Sequence, residues 1–367
     1  MKFSVSRESL LAPLQLISGI VEKKQTMPVL SNILLVVDKN QVSLTGTNME
    51  VELVCRVDDV AVDHTGKITV PAKKLAEICR SLTDSYPVEI SLEGDKLHIH
   101  SGNSQFVLAT LPADHFPNTE NDDINFSIFL SQKKLKHALD ATAFAMAQQD
   151  VRYYLNGMLF EIRQETLRLV ATDGHRLALA NIDISSSLQD SAQIIVPRKG
   201  VIELGRLLTD EGEEVQLEFG SSHIRSTIGS YTFSSKLIEG KFPDYNRVIP
   251  RGGDKIVIAE RVPMKEVLVR AAILSHENIR GIRVSLQQGQ IEVVANNPEH
   301  EQAEDYLEVD YHGEPLEIGF NVSYLIDVMN CIQQDKVKMI LSNPNSSALI
   351  EPFEGDDVVY VVMPMRL

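Results

Sequence analysis

At 367 residues with 43% hydrophobic content, the chain is long enough for two or three domains that each bury a core. A formal charge of −16 and a sequence pI near 5.1, taken alone, argue against nucleic acid as a partner, provided the charges are evenly mixed. Three cysteines without CxxC spacing (Cys55, Cys79, Cys331) exclude a disulfide framework and a zinc site, and point to reduced thiols.

The opening MKFSVSRESLL lacks the apolar core of a signal peptide, and no stretch approaches the roughly 18 apolar residues of a membrane span, so a soluble cytoplasmic chain is expected. Lys2–Val5 reads as a strand and Ser6 as an N-cap, with Leu10, Leu14 and Ile17 on one helical face and a bend at Pro13. Asn32–Val37 and Gln41–Thr45 flank the turn Asp38-Lys39-Asn40 as a hairpin. A second helix starts near Pro71 and carries Leu75, Ile78 and Leu82. The polar, acidic stretch Asn118–Asn125 reads as a linker. The same order then returns. Phe126–Leu130 is followed by Ser131, Leu135, Leu139 and Thr142, and Met158–Ile162 and Leu167–Ala171 flank Arg163–Thr166. A helix from Pro197 carries Val201, Leu204 and Leu208, and Ile249–Lys255 (IPRGGDK) reads as the next linker. The third round has Lys255–Ile258, then Met264, Leu268 and Ala271. Its hairpin is Ile282–Leu286 with Ile291–Ala295 around Gly289, and its second helix starts near Asn321.

The return is a true repeat. Thr47 in GTNMEVEL, Thr172 in ATDGHRLAL and Asn296 in ANNPEHEQAE stand 125 and 124 residues apart. VPAKKLAEICRSL, VPRKGVIELGRLL and FNVSYLIDVMNCI begin at Val70, Val196 and Phe320, and Leu111, Leu237 and Met363 fall 126 apart each time. A period this long is a repeated domain, not a solenoid unit. We therefore expect three α+β domains at 1–125, 126–253 and 254–367, each with two helices on mostly antiparallel sheet and its own core. A tripled domain builds a surface or a ring more readily than one asymmetric catalytic pocket.

Enzyme signals are weak. Asp173-Gly174-His175-Arg176 offers a base and an orienting acid, but a turn after a strand explains the same residues, and no nucleophile elbow is near. His98 and His100 share a strand face without a third metal ligand, and His276-Glu277 and His300-Glu301 lack HExxH spacing. The acidic run Glu299–Asp305 reads as a solvated face or an interchain salt-bridge surface before a cation site. No cofactor motif and no metal site are expected. Basic residues, by contrast, gather on the helices: Lys133, Lys134, Lys136, His137, Lys265 and Arg270 on first helices; Lys73, Lys74, Arg80, Arg198, Lys199 and Arg206 on second helices. Lys73 and Lys199 are equivalent, as are Arg80 and Arg206, whereas copy three has Ser323 and Asn330. One basic helical lining inside an acidic exterior reconciles the net charge with nucleic acid. The tail Tyr360–Leu367 (YVVMPMRL) is unusually apolar for a chain end; Val361–Met363 fits a terminal strand, with Met365 and Leu367 beyond it at an exposed groove.

Gln149–Met158 (QDVRYYLNGM), Ala171–Leu177 (ATDGHRL), Ile195–Gly200 (IVPRKG), Lys241–Tyr245 (KFPDY) and Val361–Leu367 (VVMPMRL) resemble the bacterial β sliding clamp family, the processivity subunits of DNA polymerase III. The resemblance covers the whole chain in order, including the three-domain period. It implies a head-to-tail homodimeric ring of six domains around duplex DNA, non-catalytic, without cofactor or metal. Twelve helices at ~9 Å between axes lie on a circle of roughly 34 Å, and subtracting one helix diameter leaves about 24 Å, enough for a duplex.

The resemblance places DNA contacts on Lys24, Lys73, Arg80, Gln149, Tyr153, Tyr154, Arg198 and Lys199, with Lys24 standing where the family has arginine. A cleft for short peptide motifs of the polymerase III α subunit, clamp loader, other polymerases and repair proteins would involve Arg152, Tyr154, Leu155, Thr172, Gly174, His175, Arg176 and Leu177. Pro243, Arg247, Val248, Asn321, Tyr324 and Ser347 would join it, with the tail residues Val361, Val362, Met363, Pro364, Met365, Arg366 and Leu367. Ile279 and Asn345 stand where family members vary. The ring interface would join Phe106 and Leu108 of one chain to Ile273, Leu274, Glu301 and Glu304 of the other, with neutral Asn103 and Gln105 where basic residues would face those acids. Two other readings compete: a protein-only scaffold, and an enzyme centred on Asp173 and His175.

Overall fold

The computed structural model of the chain describes residues 1–21, 27–117, 123–184, 191–355 and 357–366. Six α-helices lie among them: α1 (Arg7–Ile20), α2 (Ala72–Ser81), α3 (Gln132–Thr142), α4 (Arg198–Leu207), α5 (Arg261–Ile273) and α6 (Val322–Cys331). None is long and apolar enough to cross a membrane. The sequence patterns explain them locally. Ser6 Oγ accepts from Ser9 N at 3.1 Å at the start of α1, and Leu10, Leu14, Ile17 and Ile20 form its buried stripe. The helix runs on past Pro13, which is itself buried. Pro71 ends a strand and sits at the N-cap of α2, one residue earlier than expected, because its ψ of 110° is extended. The three hairpins form as read, and Gly289 takes φ +74° in the third turn.

The described residues fall into two compact units: Met1–Lys133 with Lys199–Leu237, and Lys134–Arg198 with Ile238–Leu367. This division runs through the second repeat. Sheet pairing is the reason. In the first unit a five-stranded sheet runs Val60–His64, Lys2–Val5, Val88–Glu93, Lys96–Ser101, Ser104–Ala109. An eight-stranded sheet joins Ile124–Ser131, Glu214–Gly220, His223–Ile228 and Tyr231–Lys236 of copy two to Val51–Val57, Gln41–Thr47, Asn32–Asp38 and Gly66–Pro71 of copy one. In the second unit an eight-stranded sheet joins Ala192–Pro197, Gly157–Ile162, Thr166–Thr172 and Arg176–Asp183 to Val358–Val362, Ala348–Pro352, Lys336–Leu341 and Lys255–Glu260 of copy three. A four-stranded sheet, Gln302–Glu308, Gln290–Asn296, Gly281–Gln287, Leu316–Asn321, completes it.

Every described strand pair is antiparallel. A half-sheet from one repeat leaves a row of backbone donors and acceptors open, and the neighbouring repeat's edge satisfies them. The seam registers keep core faces together: buried Phe233 faces buried Leu53, and buried Tyr360 faces buried Ala178. The expected linker also shrinks. Strand Ile124–Ser131 begins with Ile124 against Gly220, so the 125/126 boundary falls inside a strand, while residues 118–122 lie outside the described residues.

Candidate functional site

The second unit holds an apolar cavity of about 210 Å³ lined by Arg152, Leu155, Thr172, Gly174, Arg176, Leu177, Pro243, Asp244, Tyr245, Val248, Val361 and Met363. Two adjacent strands, Thr166–Thr172 and Arg176–Asp183, bring the tight turn Asp173-Gly174-His175 to its edge. Thr172 Oγ1 accepts from Gly174 N at 3.1 Å and donates to Arg176 O at 2.6 Å. Asp173 Oδ1 accepts from the amides of His175 and Arg176 at 2.9 and 3.0 Å, and its Oδ2 from Arg176 Nε at 3.1 Å. The Asp173 carboxylate is thus committed to the turn and to Arg176. The His175 ring instead stacks on Tyr324, centroids 6.4 Å apart. An acid orienting a histidine base, which the enzyme reading needs, is not what these residues form.

Gly174 adopts φ +89°, and a Cβ there would lie 3.0 Å from the Arg152 guanidinium. Gly174→Ala should therefore cost about 1–2 kcal/mol of stability and displace Arg152 from the pocket rim. Thermal denaturation and a ligand titration check this; an unchanged melting curve would contradict the strain argument.

Arg176 is the best-connected side chain of the site. It donates to Asp173, to Asp327 Oδ2 at 2.5 Å and to Phe144 O at 3.0 Å, and its guanidinium lies 4.5 Å from the Tyr324 ring centroid and 5.0 Å from that of Phe144. Arg152 grips Asp150 with Nε and Nη2 at 3.0 and 2.8 Å and donates to Asp173 O at 3.2 Å. Those side-chain bonds from Arg152, with its backbone amide, hold the Asp150 carboxyl down at about 2.

Ten of the 21 expected cleft residues line this cavity, and the other described ones do not. Val362 is fully buried and does not line the cavity: strand alternation turns it away from Val361 and Met363. Tyr154 packs behind the lining, in a cluster with Leu155, Leu177, Tyr245 and Val361. Arg247 is exposed and paired with Asp244 at 2.9 Å, Asn321 caps α6 by accepting from Ser323 N at 2.9 Å, and Ser347 lines neither cavity. Pro364, Met365 and Arg366 line a separate, larger cavity of about 1020 Å³, together with Ile279 and Asn345. Met365 is no loose end, because its N–H donates to Gly319 O at 2.8 Å. Leu367 lies outside the described residues. Asp244 and Tyr245 are lining residues that the sequence reading passed over, although KFPDY carried both.

Of the expected DNA contacts, Lys24 lies outside the described residues. Arg80, Gln149 and Tyr153 are exposed, Lys73 is half-buried, and Gln149 takes φ +56°. Arg198 and Lys199 are tied inward instead. Arg198 Nη1 donates to the carbonyls of Ala143 and Met146 at 3.2 and 3.4 Å, and burial pushes its pKa down. Lys199 Nζ donates to Gly19 O at 2.9 Å and lies 3.8 Å from buried Glu203.

At the expected ring interface, Leu108 is buried beneath its own sheet, Phe106 is half-buried, and Ile273 is 74% exposed. Glu301 accepts from Asn297 and Glu304 from Tyr306, while Asp305 pairs with Arg270 at 2.6 Å. His98 and His100 each face a carboxylate, Glu93 and Glu89, at 3.8 Å. Among the described residues no three His, Cys, Asp or Glu side chains are placed to hold a metal.

Sequence profiles of the DNA polymerase III beta subunit match the chain end to end: the N-terminal domain at residues 1–120, the central domain at 129–244 and the C-terminal domain at 246–366. The chain belongs to this family. It is 54% identical over 367 residues to the beta sliding clamp of Pseudomonas aeruginosa and 48% identical over 367 residues to that of Escherichia coli K12, with both chains covered completely in each case. A crystal structure of the P. aeruginosa DNA polymerase III subunit beta superposes with a TM-score of 0.96 at 54% identity, covering 100% of both chains. The P. aeruginosa sliding clamp bound to griselimycin superposes with a TM-score of 0.95 at 55% identity and the same coverage. The three-domain clamp fold expected from the repeats is therefore the fold of this family member, and its eight-stranded sheets are what join one domain to the next.

Proposed function

We propose that this family member is a DNA sliding clamp that closes as a head-to-tail homodimer around duplex DNA in the cytoplasm and does no chemistry of its own. The observation that carries the ring is a pair of complementary free edges. Both seams within the chain join equivalent strands: Tyr231–Lys236 to Val51–Val57, and Val358–Val362 to Arg176–Asp183. By the repeat, the counterparts left over are Ser104–Ala109 in copy one and Gln302–Glu308 in copy three. Each is the terminal strand of its sheet. A second chain supplies the missing neighbour to both, and repeating the operation once closes a C2 ring. Transferring the seam registers puts Phe106 opposite Ala303 and Gln105 opposite Glu304 of the second chain. Exposed Ile273, at the end of α5, would be covered there.

That register makes Gln105→Arg a test of the interface. The substitution places a cation opposite Glu304 and should lengthen the lifetime of the ring on circular DNA about twofold to fivefold, as expected for a rim ion pair. The gain should fade at high salt. No change at any salt would argue for a different register.

Threading explains how a protein of charge −16 holds DNA without tight phosphate contacts. Lys73, Arg80, Gln149 and Tyr153 are the accessible carriers of that contact, and sequence-independent attraction permits sliding. The apolar cavity is the docking site for short peptide segments of the polymerase, clamp loader and repair proteins, with room for large apolar anchors and with arginines at its rim. Griselimycin is the natural probe, since a relative with 55% identity is bound to it. For the ring, the chain is loaded on nicked circular plasmid by a clamp loader and the plasmid is then cut. A threaded ring stays on the circle and runs off the linear product. Equal retention on both would favour a protein-only scaffold or direct DNA adhesion.

A further inference from the structure

Behind the apolar cavity, the second unit's eight-stranded sheet carries a polar row where apolar side chains would be ordinary. Gln193, Glu161, Arg168 and Asn181 are successive cross-strand partners. Glu161 is only 5% exposed. Its Oε1 accepts from Gln193 Nε2 at 2.7 Å, and its Oε2 accepts from the Tyr245 hydroxyl at 2.6 Å and from Arg163 Nη2 at 2.9 Å. Arg168 donates to Asn181 Oδ1 at 2.8 Å and to the Tyr245 hydroxyl oxygen at 3.2 Å. Burial opposes the charged form of Glu161, but the bonds from Tyr245, Gln193 and Arg163 outweigh it and hold the carboxyl below its ordinary value. Burial and the Glu161 bond raise the Tyr245 hydroxyl, which stays a donor at neutral pH.

Tyr245 belongs to the segment 239–254, which contributes Pro243, Asp244, Tyr245 and Val248 to the cavity wall. The backbone bonds of that segment are local: Arg247 N to Asp244 O at 3.3 Å and Val248 N to Tyr245 O at 3.1 Å. Among the described residues, the Tyr245 hydroxyl is its polar tie to the sheet.

We infer that Glu161 and Arg168 are positioning residues for partner binding: through Tyr245 they hold the Pro243–Val248 wall at the width an apolar anchor needs. Neither lines the cavity. A wall fixed before binding spares the ligand the ordering cost of a loose loop. The inference rests on the proposed role of the cavity as the peptide site.

Calorimetric titration with griselimycin tests it on the full-length dimer, using Tyr245→Phe, Glu161→Ala, Glu161→Gln and the double variant Glu161→Ala/Tyr245→Phe. Loss of a hydrogen bond to a charged group predicts about tenfold weaker binding in Tyr245→Phe and in Glu161→Ala. The double variant should be no weaker than Tyr245→Phe, because loss of the hydroxyl already removes both of its ties, to Glu161 and to Arg168. Glu161→Gln keeps an acceptor for Tyr245 and should bind within about threefold of wild type. In Tyr245→Phe, amide exchange should accelerate at Arg247 and Val248 while Leu169 and Leu179 in the sheet stay protected, which a general loss of stability would not produce. Wild-type binding in both single variants, additive losses, or uniform acceleration at all amides would overturn the inference. Should the wild-type protein itself not bind griselimycin, the peptide-site reading fails, and the exchange comparison alone decides whether Glu161 and Tyr245 hold the wall.

Discussion

Val107→Pro is expected to turn the proposed dimer into monomers without unfolding the chain. Thr110 N donates inward to Asp95 O, so by alternation the N–H groups of Leu108 and Phe106 also point to the neighbouring strand Lys96–Ser101. Gln105, Val107 and Ala109 then point theirs to the free edge. The chain's own seam behaves this way. Lys236 faces His223 as Ala109 faces Lys96, so the hairpins make it the counterpart of Ala109, one residue off the 126-residue spacing. It donates across the seam to Glu50 O at 2.8 Å, while Arg56 donates back to Ser230 O at 3.0 Å. Proline at position 107 removes an edge donor and sets its ring against the incoming strand at each of the ring's two interfaces; at about 3 kcal/mol apiece this is roughly 10⁴-fold in the dimer dissociation constant. Val107 is 54% exposed, so little internal packing is lost. Sedimentation should show monomers at concentrations where wild type is dimeric, and retention on circular plasmid should vanish. Griselimycin affinity should hold, because its proposed cavity lies wholly in the second unit. An intact dimer would falsify the assignment of this strand to the ring interface.

Arg176→Ala should have the larger effect on partner binding. The side chain lines the cavity, yet its three polar bonds reach Asp173 in its own turn, Phe144 just after α3 and Asp327 on α6. Its removal takes a charged partner from half-exposed Asp327, a donor from the Phe144 carbonyl and one of the bonds to Asp173, which keeps the amides of His175 and Arg176; this costs about 1–2 kcal/mol. The stack on Tyr324 and Phe144 goes with it. Griselimycin affinity should drop roughly 100-fold, in the range of an interface arginine hot spot. Arg176→Lys should recover little, since one ammonium cannot serve three directions and two ring faces. Calorimetric binding and melting curves of the two variants decide the matter; a lysine variant that binds like wild type would mean that charge alone matters.

The three hairpins and the apolar stripes of α1 and of the second-round helices were legible in the sequence because each depends on near neighbours along the chain. So was most of the cavity lining, but by another route: DGHR, KFPDY and the apolar tail are long enough to carry a family resemblance, while their composition alone allowed a turn, a loop and a frayed end. The sequence is silent where distant strands decide. Val362 looked equivalent to Val361 as a cleft residue until the strand assigned them opposite faces. Arg198 and Lys199 looked like free basic groups, but the carbonyls that hold them come from residues 143, 146 and 19. Tyr245 is the sharpest case, because nothing near it in sequence announces that Glu161 and Arg168 will hold its hydroxyl.

The sequence by itself determined that there are three repeats, what elements each contains and to which family the chain belongs, since periodicity, caps and long motifs are local properties of a chain. Only the tertiary structure decided how the repeats are joined. A half-sheet has no preferred partner written in its own residues beyond an open row of backbone groups. Once paired, those rows draw the compact units across the second repeat, line one cavity with residues from the second and third, and leave the equivalent strands Ser104–Ala109 and Gln302–Glu308 terminal in their sheets.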